Sequence, residues 1–328
     1  MAVHIFVVNR ENFNICIHKG LAAIPSAKAD SRIKDNTNNQ LISRMTSVRK
    51  DDLILFYIIK EKLIYGVYKA IECSFYDKTP IWQSLDSQLY PFRIRIDNSK
   101  YVFNNPIELS DIYDLRDNGK IWTFNLRSNR GTNSMFSISE VEYQYIFELF
   151  LKTNKIIKQP NHIKEPYRHI EPNISDYLTL NSKKQPKYEA TLTAFLIKQL
   201  AKNQYHNIFG NYSDYLAYVP TSFEKEIDVV LFHSDPRNLS NVIAYSIIEL
   251  KRDKLDETGL SQLLMYEDWF LKKRVNGDSR SIRTFAIASS FTDGVINYLK
   301  KREELENKKV SLLTYILVEN ELKISPYN

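Results

Sequence analysis

Short apolar stretches separated by polar turns fill the first hundred residues. HIFVVN, DLILFYII, LIYGVYKAIE and YPFRIRI are rich in β-branched and aromatic side chains and are predicted as strands. SVRKDD is a polar turn leading into the second of them. Helical spacing of apolar residues first appears in ISEVEYQYIFELFL, at 138–151, predicted as the helix that closes a first domain. Pro160, Pro166, Pro172 and Pro186 then fall within 27 residues that hold few apolar side chains, which predicts an extended connector. Beyond it, YEATLTAFLIKQLA sets Leu192, Phe195, Leu196 and Leu200 on one helical stripe. EIDVVLF and VIAYSIIELK read as strands joined by the turn HSDPRNLSN. DETGLSQLLMYEDWFLKK reads as a helix capped by Asp256 or Thr258, and TFAIASS as a buried strand. DGVINYLKKREELE is a further helix and VSLLTYILV a last strand. The pattern predicts α/β and α+β domains at 1–155 and 187–328, joined by a linker at 156–186. The second should hold a mixed sheet flanked by helices.

With 328 residues, 43% of them apolar, there is material for two ordinary cores. The opening MAVHIFVVNR alternates like a strand and lacks a basic leader, and no stretch is long and apolar enough to span a membrane. Cys16 and Cys73 stand alone, without a Cys-x-x-Cys or Cys/His cluster, which argues against a disulfide framework or structural zinc and for a reducing, cytoplasmic setting. Net charge is +6 but uneven. Residues 1–155 carry 21 basic against 17 acidic side chains, residues 156–188 carry 6 against 3, and residues 189–328 carry 18 against 19. A basic first domain and connector suit a polyanion such as nucleic acid.

The second half concentrates the candidate chemistry. Glu189 opens a helix, one turn before Leu192, and Asp228 stands where an apolar strand begins. Glu249 and Lys251 end the next strand; two residues apart, they share one face while Leu250 points away. Taken alone they would read as a surface ion pair at a strand exit. Gln262 and Tyr266 follow, four apart on one helical face. This order resembles the PD-(D/E)XK nuclease superfamily over roughly residues 187–295, with Gln-x-x-x-Tyr typical of its RecB-like branch. No proline precedes Asp228; Ile227 stands there. The resemblance implies phosphodiester hydrolysis with Mg²⁺, for which Mn²⁺ could substitute. Asp228 and Glu249 would ligate the metal. Lys251 would orient an attacking water or help deprotonate it, and Glu189 would hold a metal-bound water or a second ion. Gln262 would position Lys251 or the phosphate, with Tyr266 behind.

In the first domain, Asn9 ends the opening strand and Phe13–Cys16 follow. Lys50-Asp51-Asp52 precede the strand containing Tyr57, Gly66 lies in the next, and Asp77 and Trp82 complete the series. These pieces resemble the PUA-like group that includes EVE and YTH domains, over about residues 1–100 and extending toward 150, with Phe13 where EVE domains usually carry tryptophan. The resemblance implies a β-barrel with helices that holds a modified base in an aromatic pocket. Trp82 and Tyr57, with Phe75 or Tyr76, are candidate walls. Asn9 and Ser43 are candidates for base-edge hydrogen bonds, and Arg44, Arg49, Lys50, Arg93 and Arg95 for phosphate contacts. Together the two resemblances imply a modification-dependent DNA endonuclease that restricts foreign DNA, acting as a homodimer if both strands are cut. The alternatives are a repair endonuclease for mismatched, branched or damaged DNA, and a non-catalytic RNA- or DNA-binding protein.

Overall fold

The structure, a computed structural model, describes residues 2–28, 32–82, 89–128, 131–154, 167 and 173–327. The chain divides into two units, Met1–Leu178 and Thr179–Asn328. About half of the stretch read as a connector, residues 156–166 and 168–172, lies outside the described residues. Of the remainder, Ile174–Tyr177 form a short 3-10 turn in the first unit, and Leu180 pairs Pro186 in the second.

The first unit runs β1 (Val3–Val8), α1 (Arg10–Lys19), β2 (Leu21–Ile24), α2 (Lys34–Thr46), β3 (Leu53–Ile58) and β4 (Leu63–Ala70). It continues with β5 (Phe75–Tyr76), β6 (Phe92–Asn98), β7 (Ile107–Glu108) and α3 (Leu109–Asp117). β8 (Arg127–Ser128), β9 (Gly131–Thr132), β10 (Met135–Ile138) and α4 (Glu140–Thr153) complete it. The main sheet curls into a half-barrel in the order β10-β1-β3-β4-β6-β2, with β5 added to β6 and β7 to β4. β1 and β3 pair in parallel, and their side chains are almost all buried because both faces of the sheet are covered. One face carries Val3, Ile5, Leu55 and Tyr57 into a cluster with Ile112 of α3 and Ile146 and Phe150 of α4. The other turns Phe6 and Phe56 toward Phe13 of α1, with the Phe13 and Phe56 rings 5.4 Å apart.

Helices α1 and α2 depart from the strand-and-turn pattern expected here. Their sequences, RENFNICIHK and KDNTNNQLISRMT, are mostly polar and bury only three or four side chains each. Local end signals specify α1 better than its stripe does. Asn9 caps the N-terminus by accepting from the Asn12 amide, and Gly20 closes the other end at φ 63°, where a side chain would be strained.

The second unit comprises α5 (Glu189–Leu200), α6 (His206–Phe209), β11 (Asp214–Pro220), β12 (Glu226–Asp235), β13 (Asn238–Leu250) and β14 (Lys254–Leu255). Then come α7 (Glu257–Lys273), β15 (Ile282–Ala288), β16 (Ser290–Phe291), α8 (Asp293–Glu306), β17 (Val310–Val318) and β18 (Glu321–Pro326). The sheet order is β11-β12-β13-β15-β17-β18; β13, β15 and β17 run parallel through the α7 and α8 crossovers, and the remaining pairs are antiparallel. This is the mixed, helix-flanked sheet the pattern predicts, with two edge strands added. β11 and β18 were not evident in the pattern because an edge strand buries one side only and tolerates polar residues and a terminal proline. The expected turn HSDPRNLSN is shorter than predicted. Strand pairing persists to Asp235 and resumes at Asn238, so Pro236 and Arg237 alone make the turn. The hairpin overhangs the sheet, and its polar residues stay exposed while pairing.

Candidate active site and base-reading cluster

Strand register builds the first cluster. Val229 of β12 pairs with Ile248 of β13, so one step further sets Asp228 opposite Glu249. Leu250 points into the core and is fully buried, and its amide donates to Asp228 Oδ2 at 2.7 Å. Glu249 is 1% exposed. Lys251 Nζ lies 2.9 Å from Glu249 Oε1 and 3.2 Å from Glu189 Oε1. Glu189 comes from the first turn of α5, where the helix dipole favours a carboxylate. From α7, Gln262 Nε2 donates to Glu249 Oε1 at 3.1 Å and to the Tyr266 hydroxyl at 2.8 Å. The Tyr266 hydroxyl in turn donates to the Glu226 carbonyl at 3.0 Å and is otherwise sealed in the core. Asp256, not Thr258, caps α7, accepting from the Gly259 amide. All six residues singled out in this half of the sequence therefore meet in one hydrogen-bonded group.

The electrostatics are those of crowded acids. Burial, then the charges of Glu249 and Glu189, push the Asp228 carboxyl well above the usual range. Burial raises Glu249 too, with Lys251 opposing it. For Lys251, burial disfavours the ammonium, but the nearby carboxylates outweigh it and hold the side chain charged. Glu249 Oε2 is buried without a hydrogen-bond partner. Among the described residues no three His, Cys, Asp or Glu side chains gather as a ready-made metal cage. The donor set still fits a small hard cation. Mg²⁺ is held by one or two carboxylates and completes its shell with water and phosphate oxygens. Two adjacent carboxylates, Asp228 part-buried and Glu249 buried with an orphaned oxygen, offer that.

One further residue reaches the group. The β11–β12 turn is fixed against α7, with Phe223 stacked on Tyr266 at 5.9 Å and Ser222 Oγ accepting from the Trp269 indole at 2.8 Å. It delivers Lys225, whose Nζ lies 3.5 Å from Gln262 Oε1. Nothing in the sequence marks Lys225, since lysine in a polar turn is ordinary.

The second cluster lies in the first unit around Trp82, which is 7% exposed. Its ring sits 5.5 Å from that of Tyr90 and 5.2 Å from the Arg93 guanidinium, and it also meets Cys16 of α1. One turn earlier on α1, Asn12 donates to the Tyr90 hydroxyl at 3.3 Å, while its carboxamide oxygen is buried without a partner. The candidates from sequence divide here. Tyr57 cannot share a wall with Trp82. Phe56 faces α1, so Tyr57, the next residue along the strand, faces α3 and α4 instead. The Asn9 carboxamide oxygen is taken up by the α1 cap, where it accepts from the Asn12 amide. Ser43 is fully buried in α2. Phe75 is buried and Tyr76 stacks on Tyr177 at 3.8 Å.

Arg93, read as a phosphate contact, is internal at 1% exposure. It pairs with Asp77 at 3.2 Å and donates to the Tyr90 and Thr79 carbonyls, so its charge is satisfied inside the fold. Arg95 is gripped by Glu72 and Arg49 lies 3.6 Å from Asp52, both part-exposed. Arg44 ends α2 and Lys50 is exposed.

Residues 5–149 match the EVE domain. The EVE match thus takes in the first sheet from Ile5 onward and α4 as far as residue 149, and it contains Trp82, Tyr90 and Arg93. No protein of curated function matches the chain. Among solved structures it is similar to a repair endonuclease from Pyrococcus abyssi (21% identity, TM-score 0.25, 34% of this chain and 44% of that one). An EndoMS–double-stranded DNA complex gives 18% identity, TM-score 0.24, and 35% and 43% coverage. EndoMS in apo form gives 11% identity, TM-score 0.23, and 89% and 97% coverage. The chain spans less than half the length of the first two, and likenesses this slight do not bear on the site.

Proposed function

We propose that the protein is a Mg²⁺-dependent DNA endonuclease whose EVE segment directs it to DNA carrying a modified base. The observation that carries this reading is the Asp228–Glu249 pair, the first part-buried and the second buried with an unpartnered oxygen, beside an ammonium held between two carboxylates. Asp228 and Glu249 would hold the metal, which when bound offsets charge on a phosphate and acidifies water. Lys251 donates to an oxygen of the scissile phosphate. Gln262 fixes Glu249 from behind, and Tyr266 fixes Gln262. Glu189 keeps Lys251 aimed across the strand end. The test is digestion of matched DNAs bearing methyl-adenine, methyl-cytosine, hydroxymethyl-cytosine or no modification, with Mg²⁺ or with chelator. Cutting confined to one modified DNA supports the reading. Cutting of mismatched or branched DNA regardless of modification would make it a repair enzyme, and no metal-dependent cutting of any DNA or RNA would leave a binding protein.

Lys225 should help seat the strand without taking part in bond cleavage. Lys225→Ala is expected to raise KM about two- to fivefold with kcat held, as for an exposed charge contact. A fall in kcat at unchanged KM would place it in the chemistry instead.

For the EVE segment, a base face stacked on an aromatic ring contributes ~1–3 kcal/mol, enough to offset much of the few kcal/mol lost on extruding it. Trp82 supplies the ring, and the orphaned Asn12 oxygen supplies an acceptor for the base edge. Trp82→Ala should weaken binding to the recognised modified DNA by about 5- to 150-fold. Unmodified DNA, held through phosphates, should bind nearly as before. Equal losses on both DNAs, or a collapsed melting transition, would reduce Trp82 to packing.

A further inference from the structure

On the α3 side of the first sheet, away from Trp82, the ends of β3 and β4 and the start of α3 border an open cleft of about 890 Å³. That is ample for a nucleotide, since small-ligand sites run from about 300 to 1,000 Å³. Tyr57 lies in its wall, and Tyr113 stands over it with 43% of its surface exposed. Lys62, Arg116 and Arg127 line it, and all three are exposed. Four other cations of this unit are taken up by acids: Arg10 by Glu61, Arg93 by Asp77, Arg95 by Glu72 and Lys69 by Asp51. Among the described residues, none of the three cleft cations has a carboxylate within ion-pair distance. Two acids also line the cleft. Glu61 is already neutralised by Arg10, and Glu108 accepts from Ser110 Oγ at 3.1 Å, which leaves it lone pairs to spare.

A bare anion would not want Glu108, and an apolar ligand would not want three unmatched cations. An amino-bearing nucleotide suits both, because phosphate meets the cations, a base face meets tyrosine, and a carboxylate accepts from an exocyclic amine. We propose that this cleft is a second nucleic-acid subsite, which takes an unpaired nucleotide of a DNA strand. Tyr113 stacks the base, Arg116 and Arg127 hold its phosphates, and Glu108 receives the amino group of cytosine or adenine. The proposal rests on the reading that DNA is the substrate, but not on cutting.

It is tested on the full-length protein in chelator, by fluorescence anisotropy with labelled single-stranded (dC)12 and (dT)12 across a salt series. Wild type should favour (dC)12. Tyr113→Ala should lose about 5- to 150-fold. Arg116→Ala/Arg127→Ala should make the slope of log affinity against log salt about 1.4 units less negative, 0.7 for each phosphate contact on a single strand. Photocrosslinking of wild type to a 12-mer bearing 5-iodo-deoxycytidine should map by mass spectrometry to the cleft, Tyr113 included. Unchanged affinity and slope in both variants, or crosslinks confined to other surfaces, would overturn the subsite. So would competition by poly-glutamate as effective as by (dT)12, because the cleft would then be a general anion binder. Since binding is read without metal, a failure here leaves the cutting assay untouched, and a failure to cut leaves this result standing.

Discussion

Asp228→Asn and Lys251→Ala are each expected to lower Mg²⁺-supported DNA cutting by about 10²–10³-fold, the usual cost of removing one preorganised charge from a reacting centre. Retention of more than about a tenth of wild-type cutting in either would defeat the assignment. A second readout separates a functional cluster from a structural ion pair. The folded-state pKa of Asp228 is raised above its unfolded value, so the charged form costs stability at any pH above that unfolded value. Asn removes the charge and can still accept from the Leu250 amide, as Asp228 Oδ2 does at 2.7 Å. In chelator at pH 8, Asp228→Asn should therefore melt at or above the wild-type temperature, and the upward shift that added Mg²⁺ gives wild type should vanish. A stabilising ion pair would behave oppositely, with the variant melting lower whether or not metal is present. Sites held ready for an external charge are routinely less stable than their neutralised variants.

The cluster was legible because its residues sit where secondary structure makes positions countable. A strand's two-residue period puts Glu249 and Lys251 on one face, and a helix's four-residue step stacks Gln262 on Tyr266. The pairing register of β12 with β13 does the rest, and it follows from the apolar run of each strand. Lys225 escaped notice because its place depends on Phe223 and Trp269 pinning a turn, a tertiary contact with no periodic signature. The same limit applied to the Trp82 cluster. Tyr57 and Trp82 are both aromatic residues of one sheet unit, and only the pleat shows that Tyr57 faces α3 and α4 while Trp82 meets α1. Helices α1 and α2 were missed because their burial comes from few residues and their stop signals are local. The exposure of a cation is the least legible property of all. YPFRIRI alternates regularly, yet Arg93 and Arg95, on the same face, differ from 1% exposed to part-exposed.

That difference sets the second large effect, which concerns stability. Arg93 pairs across β6 with Ala23 of β2 and with Phe75 of β5, so its guanidinium is held where the two flanking strands close over it. There it meets Asp77 at 3.2 Å, the Tyr167 hydroxyl at 3.3 Å, the Tyr90 carbonyl at 2.8 Å, the Thr79 carbonyl, and the Trp82 ring at 5.2 Å. Removing one partner of a buried pair strands the other and costs about 3–5 kcal/mol. Arg93→Ala should thus lower the melting temperature of the first unit by roughly 6–20 °C, at about 2–4 °C per kcal/mol. Arg95→Ala, which breaks a part-exposed pair with Glu72, should cost no more than about 1 kcal/mol. The acid limb gives the sign check. Burial would raise the Asp77 carboxyl, but hydrogen bonds from Tyr167 and Thr79 and the Arg93 charge hold it below the usual carboxylate range. A depressed folded pKa adds stability above the unfolded value and loses it as pH falls through the folded one. Arg93→Ala should therefore flatten the loss of stability below about pH 4, where an unperturbed Asp titrates. Had Arg93 been a phosphate contact, the variant would keep its melting temperature and acid profile. It would instead lose about 0.9 from the slope of duplex-DNA affinity against salt. A melt and a salt titration on the same variant decide between these outcomes, and the internal ion pair requires the melt to move.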